Sequence, residues 1–235
     1  MFSPKLIKFV AAGATAIAIG GGAYGIVSAT ASTSSGAATT ASSTSAISAQ
    51  HAPGSGGSNA RSGPAAGGSI GKVTSVSTSG FGLLTSTGQK VTVKETSSTT
   101  YRKGTSSASS SAVTKGKTAL VLGTTDSTKI TATQVIVQPT NVPESSSHVI
   151  AFKQGAPSTS KQAGQIPASY KQGTGTIVSG ATANNATKAA LAAYRGGIVD
   201  RVVKLSNGEY EVHNIGVNWP HHIFVNQDFK VIGAD

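Results

Sequence analysis

The sequence predicts a mainly β protein with one α+β module: a small β-barrel-like domain, then a helix on an antiparallel sheet, with disordered linkers. Three observations lead to this fold class. Short apolar runs with the two-residue period of strands follow one another between residues 70 and 137. One helical run and one Asn-Gly hairpin signal stand closer to the C-terminus. The stretches between these regions lack apolar bulk and cannot form a packed core.

Composition narrows the classes of function. Of the 235 residues, 11% are charged, 5% are aromatic and none is cysteine. The absence of thiols excludes disulfide scaffolds and cysteine-ligated metal or iron–sulfur sites. Among the eight acidic residues, Glu209 and Glu211 are the one pair that shares a strand face, and Lys204 is the expected partner of Glu211. We therefore expect a protein that is not an enzyme and holds no cofactor.

Residues 1–31 have the features of a signal peptide or a signal anchor. Two lysines precede a long uncharged apolar stretch, and a small-x-small pattern then fits cleavage between Ala31 and Ser32. The apolar stretch is intermediate in length between a cleaved signal and a transmembrane helix. Both alternatives place the rest of the chain outside the cytoplasm, in the bacterial cell envelope or secreted.

Residues 32–68 are rich in Ser, Thr, Ala and Gly and are expected to form a disordered tether. A nucleophile-elbow pattern, Gly-Gly-Ser-Ile-Gly, ends this stretch and contains Ser69. An elbow must join a strand to a helix, whereas this pattern joins a tether to a strand. A serine hydrolase is therefore not the expected function.

Residues 69–138 contain about five short strands, with a polar loop at 104–112. The alternating apolar residues are the expected core: Val91, Val93, Leu120, Leu122, Val135 and Val137. The segments GKVTSV, FGLLTSTGQKVTVKETSSTTY and VTKGKTALVLGTTDSTKITATQVIV resemble an exported bacterial family, domain of unknown function 5666. This resemblance implies a small barrel similar to the oligonucleotide/oligosaccharide-binding fold, and it brings no family activity with it.

Residues 139–174 are rich in Pro, Ser and Gln and are expected to be a second linker, with one strand at 149–152. The following module, residues 175–235, opens with a helix predicted at 184–194. A two-residue Asn-Gly loop then predicts a hairpin. Its expected pairs are Leu205 with Tyr210 and Val203 with Val212 on the apolar face, and Lys204 with Glu211 on the solvent face. Two further strands are expected at 223–225 and 229–232.

The segments ATKAALAAYRGGIVDRVVKLSNGEYEVH and IFVNQDFKVIGAD resemble the PepSY domain family over residues 175–235. The resemblance implies one helix packed on a curved antiparallel sheet. It also implies a module that binds or restrains a protein or peptide partner, often a peptidase, because relatives occur in propeptides and envelope proteins. This chain departs from the family pattern at Arg195, where relatives often have Pro, and at 216–220, where they often have an Asp-Gly turn.

Three histidines and a tryptophan stand close together in this module. Adjacent strand residues point to opposite faces, so His221 and His222 are not expected to bind one ion if strand pairing starts at 221, while His213 and His222 could share the solvent face. No metal ligand is therefore assigned. The expected alternative is a contact patch for a partner, formed by Trp219, His221, His222 and His213.

These observations predict an exported, non-enzymatic envelope protein whose PepSY-like module binds a protein or peptide. The alternative is a structural protein that adheres to an anionic wall polymer or membrane surface. Residues 72–138 carry eight basic and two acidic groups, within a chain of net charge +11. Nucleic acid is not an expected partner, because these cations lack the interleaved aromatic rings that stack on bases. No small-molecule substrate is expected.

Overall fold

The computed structural model describes residues 63–139, 149–153 and 161–235 of the chain. The predicted export segment, its cleavage position between Ala31 and Ser32 and most of the predicted tether lie outside the described residues. In the part that the structure describes, no helix is both long and apolar enough to cross a membrane.

The described chain before residue 140 forms seven strands. They are β1 (Ala65–Val76), β2 (Gly80–Leu84), β3 (Lys90–Lys94), β4 (Thr100–Lys103), β5 (Ser106–Ala108), β6 (Thr118–Asp126) and β7 (Lys129–Val137). Five of them pair in the order β1-β2-β3-β7-β6, and β6 pairs with β1 again. The strands therefore close into a small barrel, which confirms the mainly β class and the barrel-like domain. The β3–β7 pair is parallel and the other four are antiparallel.

The two-residue period of the sequence decides which side chains enter the barrel. On β3, Val91 and Val93 are buried, whereas Lys90, Thr92 and Lys94 are exposed. All six residues that the alternation predicts as core are buried: Val91, Val93, Val135 and Val137 in the cluster inside the barrel, and Leu120 and Leu122 in the cluster that contains α1.

Two stretches that were expected to be irregular contain strands. β1 begins at Ala65, inside the predicted tether, because glycine serves close packing there rather than flexibility. A Cβ atom would lie 2.0 Å from the carbonyl oxygen of Val199 at Gly67 and 2.2 Å from that of Val121 at Gly68. The stretch 104–112, predicted as a loop, contains β5 and a short 3-10 turn.

The remaining described residues form one helix, α1 (Gly180–Ala193), and eight strands. The strands are β8 (Ile150–Ala151), β9 (Ala163–Gly164), β10 (Thr176–Ile177), β11 (Ile198–Lys204), β12 (Tyr210–Ile215), β13 (Val217–Trp219), β14 (His222–Val225) and β15 (Val231–Ala234). β11, β12, β14, β15 and β9 follow one another as antiparallel neighbours. The strand predicted at 149–152 is present as β8, which pairs with β13.

One hydrophobic cluster among the described residues joins the two predicted modules, and a second cluster fills the barrel. β1 pairs with β11 through Gly68 and Val199, so the barrel and the C-terminal strands belong to one continuous sheet. α1 then lies between the barrel surface and the C-terminal strands. Its cluster includes Leu120 and Leu122 of β6 beside Ala190 of α1. The sequence boundary between the modules therefore does not mark a break in packing.

The C-terminal hairpin forms, but the predicted register is wrong by one residue. The observed pairs are Lys204 with Tyr210, Val203 with Glu211, Val202 with Val212 and Arg201 with His213. The reason is the loop: the backbone N–H of Leu205 donates to Glu209 O, which closes a three-residue loop. Gly208 takes the left-handed conformation there, with φ +87°. A shift of one residue moves every side chain to the other face.

The register determines which face of the sheet carries Glu211. Glu211, which was expected on the solvent face with Lys204 as its partner, is fully buried at 0% exposure. It lies opposite Val203 on the face of the sheet that α1 does not cover. Lys204 itself is exposed.

Candidate metal centre

Three histidine side chains meet on the sheet face opposite α1. His213 of β12 and His222, the first residue of β14, are paired in register. His221 directly precedes β14, so strand alternation does not send its ring to the opposite face. One ring nitrogen from each histidine lies within 4.8 Å of those of the other two. Strand pairing starts at His222 rather than at 221, so the condition under which His221 and His222 could not bind one ion is not met.

A carboxylate orients the rings of two of these histidines. His213 Nδ1 lies 2.6 Å from Asp200 Oδ1, and His222 Nδ1 lies 2.7 Å from Glu211 Oε1. A carboxylate accepts hydrogen bonds, so each Nδ1 carries the proton and donates it. In the neutral form of each ring, the lone pair then lies on Nε2. A carboxylate behind a ligating imidazole is the arrangement that fixes the tautomer in metal sites.

The third ring, His221, contacts the others directly. Its Nε2 lies 2.9 Å from His213 Nε2, and its ring centroid is 4.3 Å from that of His213 and 4.9 Å from that of His222. Burial is the main cause that lowers the pKa of His221 to about 4, and the nearby His213 and His222 lower it further. His221 is therefore neutral at pH 7, the form in which imidazole binds metal.

The position of Asp200 depends on an irregularity in β11. The pairing of β11 with β12 shifts register between Val199 and Arg201, which makes Asp200 the extra residue of a bulge. Bulges redirect a side chain out of the strand alternation. Asp200 thereby reaches His213 with one oxygen, while its other oxygen lies 3.1 Å from Arg201 NH1.

Tyr170 covers the histidines from the segment that precedes β10. Its ring centroid lies 5.6 Å from that of His222 and 4.7 Å from that of Phe224. Burial and the nearby Glu211 raise the pKa of Tyr170. Glu211 Oε2 is buried and has no hydrogen-bond partner among the described residues. The site is thus a largely enclosed polar cluster inside an apolar setting.

The four residues expected to form a partner-contact patch are mostly not on the surface. Trp219 is 7% exposed, its ring stacks edge-on against Tyr194 at 5.5 Å, and its Nε1 donates to Lys161 O. His213 and His222 are buried as well, and His221 is half-buried. The structure brings the three histidines together and sets Trp219 into the packing.

Ser69, the serine of the elbow-like pattern, lies within β1 rather than at a sharp turn. It is fully buried, and its Oγ donates to Gly197 O at 2.9 Å. Its hydroxyl thus holds the start of β11 against the barrel. A nucleophile elbow would expose the hydroxyl at a strand-to-helix turn.

The chemistry of the cluster is that of a nitrogen-donor metal site. Three neutral imidazoles can present Nε2 to one ion, with Asp200 and Glu211 as the carboxylates behind two of them. Sequence reasoning singled out the three histidines and missed Asp200, Glu211 and Tyr170. Comparison of the chain with protein-family models, with curated proteins and with solved structures found no match.

Proposed function

We propose that this protein binds one zinc ion through His213, His221 and His222. The observation that carries the proposal is the convergence of three histidine nitrogens within 4.8 Å, two of them on rings held by hydrogen bonds to carboxylates. Tetrahedral zinc with Zn–N bonds of about 2.0–2.1 Å needs ligand nitrogens about 3.3 Å apart. The three nitrogens lie within 4.8 Å of one another, so zinc binding would draw them closer together.

The donor set suits zinc and disfavours copper(I). The chain has no cysteine and one methionine, so the soft sulfur ligands that select copper(I) are lacking. Three imidazoles suit zinc, and they leave a fourth position for water or another ligand. Because His221 is neutral, it binds zinc through the ring nitrogen that has the lone pair; where its Nε2 donates to His213 Nε2, that proton must first move to Nδ1 of the same ring.

The proposal includes the location and class of protein predicted from the sequence. The lysine-flanked apolar segment at the N-terminus and the small-x-small pattern support export to the cell envelope. The shortage of acidic residues supports a non-enzymatic role. Zinc would then be captured outside the cytoplasm.

A second candidate is the binding or restraint of a protein or peptide partner by the PepSY-like segment. The packing of α1 on one face of the antiparallel C-terminal strands supports it, because that arrangement agrees with the family plan. If this candidate holds, an envelope partner is retained by the full chain and lost when α1 is disrupted.

Zinc titration of the full chain tests the primary proposal. By equilibrium dialysis, we expect one zinc ion per chain, and the variants His213→Gln, His221→Gln and His222→Gln each to bind at least about tenfold more weakly, since each removes one of three ligands. His148→Gln is the matched control, because His148 is not one of the three proposed ligands.

Circular dichroism checks that each variant keeps the wild-type secondary structure. Two results would contradict the proposal. One is a wild-type chain that retains no zinc after dialysis, and the other is a loss of affinity in the His148→Gln chain as large as in the cluster variants.

A further inference from the structure

The outer surface of the barrel carries a row of cations that is independent of the histidine cluster. Strand register sets Lys72 of β1 opposite Leu84 of β2, and Leu84 opposite Lys90 of β3. Lys94 lies four residues further along β3, opposite Gly80. The three lysines are exposed, while the side chains between them on β3 point into the barrel or carry a hydroxyl.

Arg195, which follows α1, extends this row beyond Lys72. The two residues line one cavity of about 140 Å³, together with Leu84 and Thr118. We call Arg195, Lys72, Lys90 and Lys94 the basic track. Neighbouring strands lie about 4.8 Å apart and residues rise about 3.3 Å along a strand, so the lysines of the track span roughly 10 Å by 13 Å.

A second cavity lies at the Lys94 end of the track. Its volume is about 420 Å³, and hydroxyl-bearing residues line it beside Lys94: Ser75, Ser77, Ser79 and Thr92. Glycine keeps this groove open. A Cβ atom at Gly82 would lie 2.8 Å from both Ser75 Oγ and Thr74 Oγ1, so a larger residue there would have to displace the wall of the groove.

The charges of the track are available to a partner. Among the described residues, the ion pairs involve Asp200, Glu211 and their neighbours, and none includes a member of the track. The nearest flanking charges in register are Lys129 of β7, opposite Thr92, and Asp126 of β6, opposite Lys129. Asp126 therefore offsets Lys129 at the margin. The carboxylate of Glu95, which follows Lys94, accepts a hydrogen bond from Tyr101 and, in the described part of the chain, forms no ion pair with the track.

We propose that the basic track binds a linear polymer of phosphodiester-linked polyols, a class of anionic chain found in cell envelopes. Regularly spaced phosphates complement cations spaced about 10–13 Å apart on a rigid sheet. The hydroxyl-lined groove suits the polyol units between the phosphates. This inference does not depend on zinc binding.

The residues around the basic track and in the adjacent cavity favour this polymer over two other polyanions. Single-stranded nucleic acid requires exposed aromatic rings for stacking, and the one ring in this lining, Phe81, is 4% exposed. A membrane surface favours a continuous apolar patch, whereas Leu84 stands among cations at 38% exposure. A thin chain without rings fits the groove best.

The test measures binding of labelled poly(glycerol phosphate) to the full chain in low-salt buffer by fluorescence anisotropy. The track variant is Lys72→Gln/Lys90→Gln/Lys94→Gln. The matched control, Lys103→Gln/Lys204→Gln/Lys230→Gln, removes the same charge from three exposed lysines elsewhere. We expect the track variant to bind at least about tenfold more weakly than the wild type. The control should bind within about threefold of the wild type, because charge near the contact decides the affinity.

Competition experiments then distinguish the polymer from nucleic acid and from a membrane surface. Unlabelled poly(glycerol phosphate) should displace the probe better than single-stranded DNA or vesicles of phosphatidylglycerol and phosphatidylcholine at equal phosphate concentration. Better displacement by DNA or by vesicles would overturn the assignment of the partner. Absence of polymer binding, or equal weakening in the two lysine variants, would overturn the site.

Discussion

At the scale of single residues, the candidate zinc site depends on groups that do not touch the metal. Asp200 and Glu211 each accept a hydrogen bond from the Nδ1 of a histidine, at 2.6 and 2.7 Å. These bonds fix the orientation of the His213 and His222 rings, each of which has a nitrogen within 4.8 Å of those of the other two histidines. Asp200 and Glu211 are therefore positioning residues.

Asp200→Asn and Glu211→Gln are expected to weaken zinc binding by about 10–100-fold, the usual cost of losing a carboxylate behind a ligating histidine. The measurement is competition for zinc against a chromophoric chelator at pH 7. Cobalt(II) bound in place of zinc should report the change as well. Its visible spectrum in the two variants is expected to be shifted from its spectrum in the wild type.

The controls are two acidic residues away from the cluster. Asp228→Asn lies in an exposed turn, and Glu209→Gln lies on the same hairpin, where Glu209 bonds Asn207. Both should leave zinc affinity unchanged. If Glu209→Gln weakened binding as strongly as Glu211→Gln, hairpin charge rather than ring positioning would be responsible.

The sequence could identify part of this site. His213, His221 and His222 stand out because five histidines occur in 235 residues and three of them fall within ten. Asp200 could not be found, because a bulge between Val199 and Arg201 brings it to the cluster. Glu211 was assigned to the wrong face, because the loop length that sets the register is not determined by an Asn-Gly pair alone.

At the scale of elements, the C-terminal hairpin decides which face of the sheet carries the site. Its three-residue loop places Gly208 in the left-handed region at φ +87°. The same loop pairs Val203 with Glu211 and so sends Glu211 toward His222. The sequence predicted where the two strands of the hairpin lie. The loop between them decides which side chains lie on each face of the sheet.

Gly208→Ala should therefore lower the free energy of unfolding by about 1–2 kcal/mol, because a residue with a Cβ atom is strained in the left-handed conformation. Urea unfolding measures the change. The added Cβ would also lie 2.7 Å from Gln227 Nε2, a flexible side-chain end that can move.

Gly208→Asn is the matched control, because asparagine tolerates this conformation better than alanine. We expect it to restore part of the lost stability. Equal stability of the alanine variant and the wild type would show that the loop does not require a left-handed residue, and the register explanation would then fail.

At the scale of the whole molecule, the described residues form one packed body rather than two modules. α1 shares a cluster with Leu120 and Leu122 of the barrel and with Val202 and Val212 of the C-terminal strands. The sequence predicted the five barrel strands and the helix from local periodicity. It could not predict their joint core, because the β1–β11 pairing joins residues about 130 positions apart without a local signal.

Leu122→Ala tests this shared core. The substitution removes a fully buried side chain and is expected to destabilise the protein by about 2–5 kcal/mol. Trp219 is the one tryptophan of the chain, so its fluorescence reports the C-terminal part, while far-UV circular dichroism reports all strands. We expect both urea transitions to shift together.

Val76→Ala is the control for truncating an apolar side chain of the barrel, since Val76 is 52% exposed. Its effect should stay within about 0.5 kcal/mol. A Leu122→Ala chain whose dichroism shifts while its Trp219 transition stays in place would show that the barrel and the C-terminal part unfold separately.

The central claim is that three histidines bind one zinc ion, and X-ray absorption at the zinc edge of the zinc-loaded full chain tests it most directly. The structure predicts a shell of about four light ligands near 2.0–2.1 Å, with the outer-shell scattering of three imidazoles. His221→Gln should reduce that scattering to two imidazoles. A shell of oxygen ligands without imidazole scattering, or a spectrum that His221→Gln leaves unchanged, would contradict the claim.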